Sequence, residues 1–319
     1  MKALVTGING FAGSYLAEAL LQSGAEVSGV VEPGTSIDYI KQIAGKIRIF
    51  EADIVDRTII EKVFKQAAPS HLFHLAGLSS VKDSFDRPQD YFRVNLSGGD
   101  VVLTAAAAMK NIRVLVVTSG DIYGDSLMSG ELVNEKSPIR PRSPYAVSKA
   151  ALDMLASVFF VQKGLEVVIA RPFSHIGPRQ SAKFFVPTVA RQIAEIIKQE
   201  KKPEIQLGET DIYRDFTDVR DIARAYILLA EKGQTGESYN ICSGRRYHLQ
   251  AIVSELVKMA DIKINITTDP SRFRKADITD MHLDNRKIKE AVDWEPKIQL
   301  TETLRETLAY WLQQPVKKG

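Results

Sequence analysis

A tyrosine and a lysine four residues apart are the first candidates for chemistry in this chain. Tyr145 and Lys149 lie in the stretch Ser-Pro-Tyr-Ala-Val-Ser-Lys of residues 143–149. A serine followed by a proline is a favourable helix start, and an apolar run follows, so the pattern predicts a helix from residue 144 that places both side chains on one face. A neighbouring cation lowers the pKa of a tyrosine from about 10, which favours proton exchange near neutral pH. The same short pattern is also typical of an exposed tyrosine and a solvated lysine, so the rest of the chain must decide.

A serine and an aspartate after a strand are the next candidates. Residues 114–118, Val-Leu-Val-Val-Thr, form the most β-like run of the chain, and Ser119 follows directly. At the carboxyl end of a strand its hydroxyl is placed to hydrogen-bond a substrate carbonyl or hydroxyl group. Asp121, two residues later, supplies a carboxylate that could act as an additional acid or base.

A glycine-rich turn near the N-terminus predicts how these residues are positioned. A short strand at residues 3–6 leads into Gly7, Gly10 and Gly13, and apolar residues then recur at helical spacing. Glycines at these places allow a tight turn, the approach of a pyrophosphate to backbone N–H groups, and close packing of the helix on the strand. The pattern predicts a dinucleotide-binding turn, with Asn9 and Phe11 among its cofactor contacts.

An acidic residue ends the second predicted strand. Residues 26–31 are followed by Glu32, about twenty residues beyond the glycine turn. A carboxylate at this position accepts hydrogen bonds from the adenosine ribose and repels a 2′-phosphate, and no arginine follows it immediately. The sequence therefore favours NAD(H) over NADP(H).

Further strands are predicted at residues 47–50, 71–75 and 167–170. With the three strands above they make six β segments separated by helices, which predicts an α/β fold with a doubly wound parallel sheet of the Rossmann type. The segments that follow the third and fourth strands are expected to contact the cofactor through Asp53, Ile54, Leu75, Ala76 and Gly77. Histidines 71 and 74 fall within a strand and no third ligand accompanies them, so no metal site is predicted.

Length and composition exclude several classes of protein. The chain has 319 residues, 45% hydrophobic and 25% charged, with a net charge of +3 and no basic patch that would indicate nucleic-acid binding. One cysteine fits a reducing compartment, and neither a signal peptide nor a transmembrane run is recognisable. We expect a cytoplasmic protein with no membrane partner. Residues 1–172, with parts of 210–240, are predicted to form the dinucleotide-binding domain, and residues 173–209 and 241–319 a smaller C-terminal substrate domain.

Taken together, these motifs resemble the extended short-chain dehydrogenase/reductase family that acts on nucleotide sugars. The glycine fingerprint and the order and spacing of Ser119, Tyr145 and Lys149 carry the resemblance, together with the segments 79–84, 171–180 and 214–221. The resemblance implies that these three residues are catalytic, that Tyr145 and Lys149 also contact the cofactor, and that the substrate is bound by Ser79, Ser80, Ser174, His175, Arg179, Val186, Arg214, Arg274 and Asp277. Ser174 stands where the family usually carries Asn, and Glu32 where near relatives often carry Arg.

The activity that the resemblance implies is reduction of the 4-keto group of a GDP-4-keto-6-deoxyhexose without a metal. The alternatives are a GDP-mannose 4,6-dehydratase, in which Asp121 would take part, and a nucleotide-sugar 4-epimerase with bound NAD. A catalytically silent NAD-binding regulator is a further alternative from another class of protein. The resemblance also implies a homodimer through a four-helix bundle that contains the helix beginning at residue 144 and the one near residues 95–109.

Overall fold

The computed structural model describes residues 1–269 and 280–315. Its strands, β1 to β13 in chain order, are Lys2–Thr6, Glu26–Val31, Arg48–Glu51, His71–His74, Arg113–Val117, Glu166–Pro172, His175–Ile176, Glu204–Leu207, Tyr213–Arg214, Thr217–Asp218, Ser238–Ile241, Tyr247–His248 and Asn265–Thr268. Its α-helices, α1 to α11, are Phe11–Gln22, Arg57–Ala67, Val81–Asp86, Pro88–Tyr91, Gly98–Ala107, Pro144–Lys163, Phe185–Ile197, Val219–Lys232, Leu249–Ala260, Arg286–Val292 and Leu300–Gln313. Two 3-10 helices span Asp38–Lys46 and Gly120–Met128, and a π-helix spans Phe92–Ser97.

Seven parallel strands form the central sheet in the order β11-β6-β5-β4-β1-β2-β3. This confirms the predicted doubly wound α/β fold. The strand that sequence reasoning did not count is β11, which extends the sheet beyond β6. Its four residues are too short a run to stand out by composition, and its neighbour in the sheet lies about seventy residues earlier in the chain.

Helices cover both faces of the sheet, which explains why its strands are apolar throughout. On one face α1 and α8 pack through residues such as Leu16, Ile222 and Leu229. On the other face α2, α5 and α6 pack through Ile60, Leu103 and Leu152 among others. The strands between these two layers are thereby held in fixed register, and their carboxyl ends meet along one edge.

The helix predicted near residues 95–109 is not α-helical throughout, because its first residues belong to the π-helix Phe92–Ser97 between α4 and α5. A π-turn places one more residue in a turn than an α-helix does, so it changes which side chains face the sheet. Asn95 lies inside this turn and is fully buried. Gly99 then lets α5 approach α6 closely, because a Cβ there would lie 2.5 Å from Leu152.

Helix α6 begins where the sequence predicted it, with the Ser143 hydroxyl accepting a hydrogen bond from the N–H of Ala146 at 3.1 Å. It ends at Gly164 in the left-handed conformation that glycine favours. By length and hydropathy alone this helix could cross a membrane, and half of that window is buried inside the protein. The core helix of a soluble protein has the same composition, and α6 packs on the sheet in that way.

A second hydrophobic core is formed by elements that follow β6 in the chain. It is built by α7, α9 and α11 with β8, through residues such as Val189, Val253 and Leu308. Part of the segment after residue 241 packs elsewhere, because α10 and the fully buried Trp294 lie in the core on the α1 face of the sheet.

Candidate active site

The strand order reverses between β1 and β4, and the predicted cofactor residues gather there. In open α/β sheets ligands bind outside the carboxyl ends of the strands at such a reversal. The backbones of the glycine turn and of the segment after β4 are in close contact, since a Cβ on Gly7 would lie 2.9 Å from the Cα of Ala76. Gly77 is similarly confined, because its Cβ would lie 2.7 Å from Oδ1 of Asn95.

The glycine turn fits a dinucleotide diphosphate. Gly7 has a φ of +70°, and a Cβ on Gly13 would lie 2.1 Å from the carbonyl oxygen of Gly7, so neither position accepts a larger residue without a shift of backbone. Helix α1 begins at this turn with Gly10 as its N-cap, and no side chain caps its first N–H groups. Uncapped N–H groups at a helix N-terminus form an anion site.

The side chains of the turn have other partners than the sequence predicted. The Asn9 amide donates to Oγ1 of Thr35 and to the carbonyl oxygen of Ser36, each at 2.9 Å. It therefore holds the loop after β2 and does not point freely at a cofactor. Phe11 stacks on His175 with ring centroids 5.8 Å apart, so the cofactor turn touches the segment predicted to bind substrate.

The loop after β2 carries the predicted ribose ligand. Glu32 is exposed, and its backbone carbonyl accepts a hydrogen bond from the Thr35 hydroxyl at 2.6 Å. Together with Asn9, this bond closes the loop over the glycine turn. The loop of residues 32–36 contains no lysine or arginine.

The segment after β3 contributes less than predicted. The Asp53 carboxylate accepts a hydrogen bond from the N–H of Val55 at 3.2 Å and pairs with Arg93 at 3.2 Å. The Ile54 side chain is buried in the core on the α2 face, which leaves little of it exposed for the predicted cofactor contact. Leu75 is half-buried at the end of β4, and the N–H of Ala76 donates to the Thr6 hydroxyl at 3.2 Å.

Ser119 and Tyr145 come together at the carboxyl end of β5. Both are buried, and the Ser119 hydroxyl lies near enough to the Tyr145 phenol to lower its pKa. Ser119 also caps the following 3-10 helix, its hydroxyl oxygen accepting from the N–H of Asp121 at 3.1 Å. Burial raises the pKa of the Tyr145 phenol above its ordinary value, the Asp121 carboxylate raises it further, and the Ser119 hydroxyl lowers it. Asp121 therefore lies close enough to act electrostatically on the tyrosine.

Lys149 lies one turn further along α6, as predicted, but its charge does not act as predicted. Its ammonium donates to the carbonyl oxygen of Val117 at 3.0 Å. Burial lowers the Lys149 pKa to about 8, and the lysine is not among the groups that shift the pKa of Tyr145. Desolvation of the buried phenol therefore raises the pKa of Tyr145, whereas the sequence predicted that the lysine would lower it.

Two buried polar residues were missed by sequence reasoning. The Asn95 side chain accepts from the N–H of Leu78 at 2.8 Å and donates to the Ser148 hydroxyl at 2.9 Å, which joins the segment after β4 to α6. His74 pairs through Nδ1 with the Thr6 hydroxyl at 2.8 Å, and burial lowers its pKa to about 3, so it is neutral. Neither contact could be predicted from local spacing. The π-turn creates the contacts of Asn95, and the pairing of β1 with β4 brings His74 to Thr6.

The predicted substrate residues lie in different settings. Ser79 and Ser174 are exposed, and Ser80 caps α3 by accepting from the N–H of Asp83 at 3.1 Å. Burial lowers the pKa of His175, whose Nδ1 lies 3.0 Å from the carbonyl oxygen of Phe173. Arg274 and Asp277 lie outside the described residues.

Arg179 and Val186 contact other parts of the protein, and their roles in substrate binding stay predictions. The Arg179 guanidinium pairs with Glu18 at 2.8 Å, donates to Ser14 at 3.2 Å and stacks over Tyr15, so it joins α1 to the segment after β7. Val186 is a core residue of the second hydrophobic core, with 1% of its surface exposed. Sequence spacing alone does not show whether either residue binds substrate or packs within the protein.

The residue next to Arg214, Asp215, is a buried carboxylate that was not predicted to be part of the site. Arg214 lies on β9, which pairs with β12, and its guanidinium donates to the carbonyl oxygen of Tyr213 at 2.8 Å. The adjacent Asp215 accepts from the N–H groups of Ser243 and Arg245 at 2.8 and 3.1 Å, and burial raises its pKa to about 6. Asp215 therefore fixes the turn after β11 beside the strand that carries Arg214.

Comparison with known proteins identifies the family. Residues 4–307 match the family model described as GDP-mannose 4,6 dehydratase. The chain belongs to this family. This GDP-mannose 4,6 dehydratase family member is 30% identical to the GDP-6-deoxy-D-mannose reductase of Pseudomonas aeruginosa, over 97% of each chain.

Solved structures give the same assignment. The structure of RMD from Pseudomonas aeruginosa complexed with NADPH superposes with a TM-score of 0.86 at 28% identity, over 98% of this chain and 99% of that one. The UDP-glucose 4-epimerase of Thermus thermophilus in complex with NAD gives a TM-score of 0.87 at 30% identity, over the same shares of the two chains. The predicted relationship to the extended short-chain dehydrogenase/reductases that act on nucleotide sugars is confirmed.

Proposed function

We propose that the protein reduces the 4-keto group of a GDP-4-keto-6-deoxyhexose, converting a substrate such as GDP-4-keto-6-deoxy-D-mannose to a product of the GDP-D-rhamnose type. The observation that carries the proposal is the pairing of two buried hydroxyls at the carboxyl end of β5, the Tyr145 phenol and the neighbouring Ser119. The raised pKa of Tyr145 keeps the phenol protonated at neutral pH, the state that a proton donor requires. The similarity to a GDP-6-deoxy-D-mannose reductase supports this choice.

The chain's own residues have distinct roles in this reaction. Bound nicotinamide supplies hydride chemistry at C4. Tyr145 donates its proton to the C4 oxygen, and the Ser119 hydroxyl hydrogen-bonds that oxygen and orients it. Lys149 would hold the nicotinamide ribose, and the uncapped N-terminus of α1 would hold the diphosphate. All these groups are fixed to the ends of buried strands and helices, so they are positioned before the substrate arrives.

NAD(H) is the proposed cofactor in preference to NADP(H). The exposed Glu32 carboxylate would meet the adenosine ribose and repel a 2′-phosphate, and the loop that carries it is tied to Asn9 and contains no cation. The related RMD structure is complexed with NADPH, so the preference is specific to this chain's loop. Fluorescence titration with NADH and NADPH tests it: equal affinities, or tighter NADPH, would contradict the assignment.

The nucleotide sugar would lie across the cleft from the cofactor. Arg214 would meet the diphosphate, because its planar guanidinium binds phosphate oxygens in a bidentate manner. Ser79, Ser80, Ser174 and His175 would line the sugar, and Arg274 and Asp277 are kept as sequence-based candidates. Substitution Arg214→Ala should raise KM for the GDP-sugar with little change in NADH affinity.

Dehydration of GDP-mannose is the second candidate, favoured by Asp121. This carboxylate acts on Tyr145 and stands where elimination would need a further acid or base. A dehydratase oxidises C4 in its first step, which requires Tyr145 to accept a proton before it later donates one.

An anaerobic assay separates the two activities. A reductase consumes one equivalent of NADH for each GDP-4-keto-6-deoxy-D-mannose, whereas a dehydratase turns over GDP-mannose with no net change in NADH. Turnover of GDP-mannose without consumption of NADH by the keto sugar would overturn the reductase proposal in favour of the dehydratase. Interconversion of C4 epimers without net NADH change would indicate an epimerase.

A homodimer is proposed from the exposed face of α6. Val147, Met154, Val158 and Val161 follow one another at spacings of seven, four and three residues, and each has more than two fifths of its surface exposed. Such a stripe lies on one helix face and fits a four-helix bundle with the neighbouring α5 and their copies. Sedimentation as a monomer at micromolar concentration would contradict the dimer. A cytoplasmic location is proposed with it, because the sequence contains a single cysteine.

A further inference from the structure

A buried ion pair lies beneath the proposed catalytic residues. Arg171 on β6 and Asp153 on α6 are 6% and 2% exposed. Nε and Nη2 of Arg171 donate to the two carboxylate oxygens of Asp153, each at 2.8 Å. Replacing a buried ion pair by apolar residues of similar volume is often neutral or stabilising, so stability alone does not account for this one.

The carboxylate of Asp153 joins two catalytic elements. It lies one turn beyond Lys149 and two turns beyond Tyr145 on α6, so it shares their helix face. Its Oδ2 also accepts the hydroxyl hydrogen bond of Thr118 at 3.1 Å, and Thr118 directly precedes Ser119. The position of α6 relative to the end of β5 is therefore set at this carboxylate.

The guanidinium of Arg171 extends the network to a third element. Its Nη1 donates to the Tyr123 hydroxyl at 2.9 Å and to the carbonyl oxygen of Glu135 at 3.2 Å. Tyr123 belongs to the 3-10 helix that Ser119 caps and that contains Asp121, and its own hydroxyl donates to Asn240 on β11 at 2.8 Å. One buried network thus connects the elements that carry Ser119, Asp121 and Tyr145.

We propose that Asp153 and Arg171, acting through Thr118, are positioning residues that hold the Ser119 hydroxyl within hydrogen-bond distance of the Tyr145 phenol. This inference rests on the proposed use of Ser119 and Tyr145 in catalysis, and it holds for either direction of proton transfer. Arg171 orients the Asp153 carboxylate through two hydrogen bonds, and Asp153 anchors the strand end through Thr118. Displacement of a reacting group by about 1 Å can lower a rate about a hundredfold, so the loss of one such contact is measurable.

A matched pair of variants at Thr118 tests the proposal. Thr118→Val keeps the shape of the side chain but removes the hydroxyl, and we expect kcat to fall about tenfold or more while KM and the NADH dissociation constant stay within about twofold. Thr118→Ser keeps the hydroxyl and should retain most of the wild-type kcat. A crystal structure of Thr118→Val should show the hydrogen bond between Ser119 and Tyr145 lengthened or broken.

A double variant separates positioning from stability. Asp153→Leu combined with Arg171→Met should remain folded, with a thermal midpoint near that of the wild type, yet lose at least about tenfold in kcat. Wild-type kcat in both Thr118→Val and the double variant would overturn the proposal. So would an equal loss in Thr118→Ser, or a loss of kcat that is matched by a loss of NADH affinity.

Failure of the proposed function gives a different result. If wild-type protein does not consume NADH with the 4-keto sugar, the reductase assignment fails, and the same variants are then compared for turnover of GDP-mannose. An intact hydrogen bond between Ser119 and Tyr145 in crystals of Thr118→Val overturns the positioning role whatever the reaction is.

Discussion

The cofactor side and the substrate side of the cleft differ in how deeply their candidate residues are buried. On the cofactor side the contacts are made by backbone and by buried side chains: Gly7 touches Ala76, Gly13 touches the turn, and Tyr145 and Lys149 are almost fully buried. On the substrate side most of the described candidates are exposed or half-buried, with the core residue Val186 as the exception. An exposed ion pair joins Lys183 to Asp83 at 2.8 Å, and Asp83 lies on the helix that Ser80 caps. A position in close contact with its neighbours accepts few residue types, whereas an exposed binding residue can be replaced by several others. Cofactor motifs can therefore be recognised in a single sequence, but substrate-binding residues cannot.

Among substitutions on both sides of the cleft, loss of the Tyr145 hydroxyl should lower kcat the most. Tyr145→Phe removes the proton donor, so kcat should fall about a thousandfold, within the range of general acid catalysis. The NADH dissociation constant should stay within a few-fold, because the ring and its packing against Tyr91 are retained. Steady-state kinetics and fluorescence titration measure the two quantities, and an active Tyr145→Phe enzyme would remove the tyrosine from the mechanism.

Closing the glycine turn tests the backbone contacts of the cofactor side. In Gly13→Ala the new Cβ would lie 2.1 Å from the carbonyl oxygen of Gly7, so the turn must open. We expect NADH affinity to fall at least tenfold, or about 1–3 kcal/mol of stability to be lost as in other overpacked sites. Gly45→Ala is the control, because a Cβ there meets nothing within 4 Å. Calorimetry and thermal melting compare the pair, and equal behaviour would contradict the tight turn.

The burial of Lys149 predicts a cost in stability that depends on pH. Its pKa is lowered to about 8 in the folded protein from 10.5, so below pH 8 the charge is buried in full. Lys149→Met should therefore raise the free energy of unfolding at pH 7 by about 1–2 kcal/mol while abolishing turnover. Between pH 8 and 10.5 the unfolded chain binds the extra proton, so wild-type stability rises with pH and the advantage of the variant shrinks.

The control for that experiment is Lys62→Met at an exposed position on α2. It should show neither the gain at pH 7 nor the dependence on pH. Denaturant unfolding at several pH values measures both variants. A destabilised Lys149→Met at pH 7 would mean that the bond to Val117 outweighs the buried charge.

The smallest effect is expected for the exposed ion pair of the substrate side. Lys183 lies before α7 and pairs with Asp83 on α3, which lowers the pKa of that carboxyl group. Because exposed pairs are worth little and are screened by salt, Lys183→Ala should change KM for the GDP-sugar less than about fivefold, and the difference should vanish in high salt. The exposed Lys82→Ala is the control. A large effect that persists in high salt would place Lys183 on the substrate itself.

The fold class could be predicted from the sequence, and the catalytic residues could be proposed from it, because each depends on local spacing. The glycines at intervals of three, the tyrosine and lysine at four, and the serine after the most β-like run are read without knowledge of distant contacts. The same local reasoning was unable to distinguish Arg179 and Val186 from substrate ligands. In the folded protein one joins α1 to the segment after β7, and the other fills the second core.

The sequence by itself determined the parts of this protein that obey short-range rules: the glycine turn, the cap of α6, and the order of Ser119, Tyr145 and Lys149. Only the tertiary structure decided that Asn95 is buried in a π-turn, that Asp153 meets Arg171 and Thr118, and that the pKa of Tyr145 is raised. The physical reason is common to all three. Each depends on desolvation and on contacts between segments far apart in the chain, and these exist only after the sheet has brought its strand ends together.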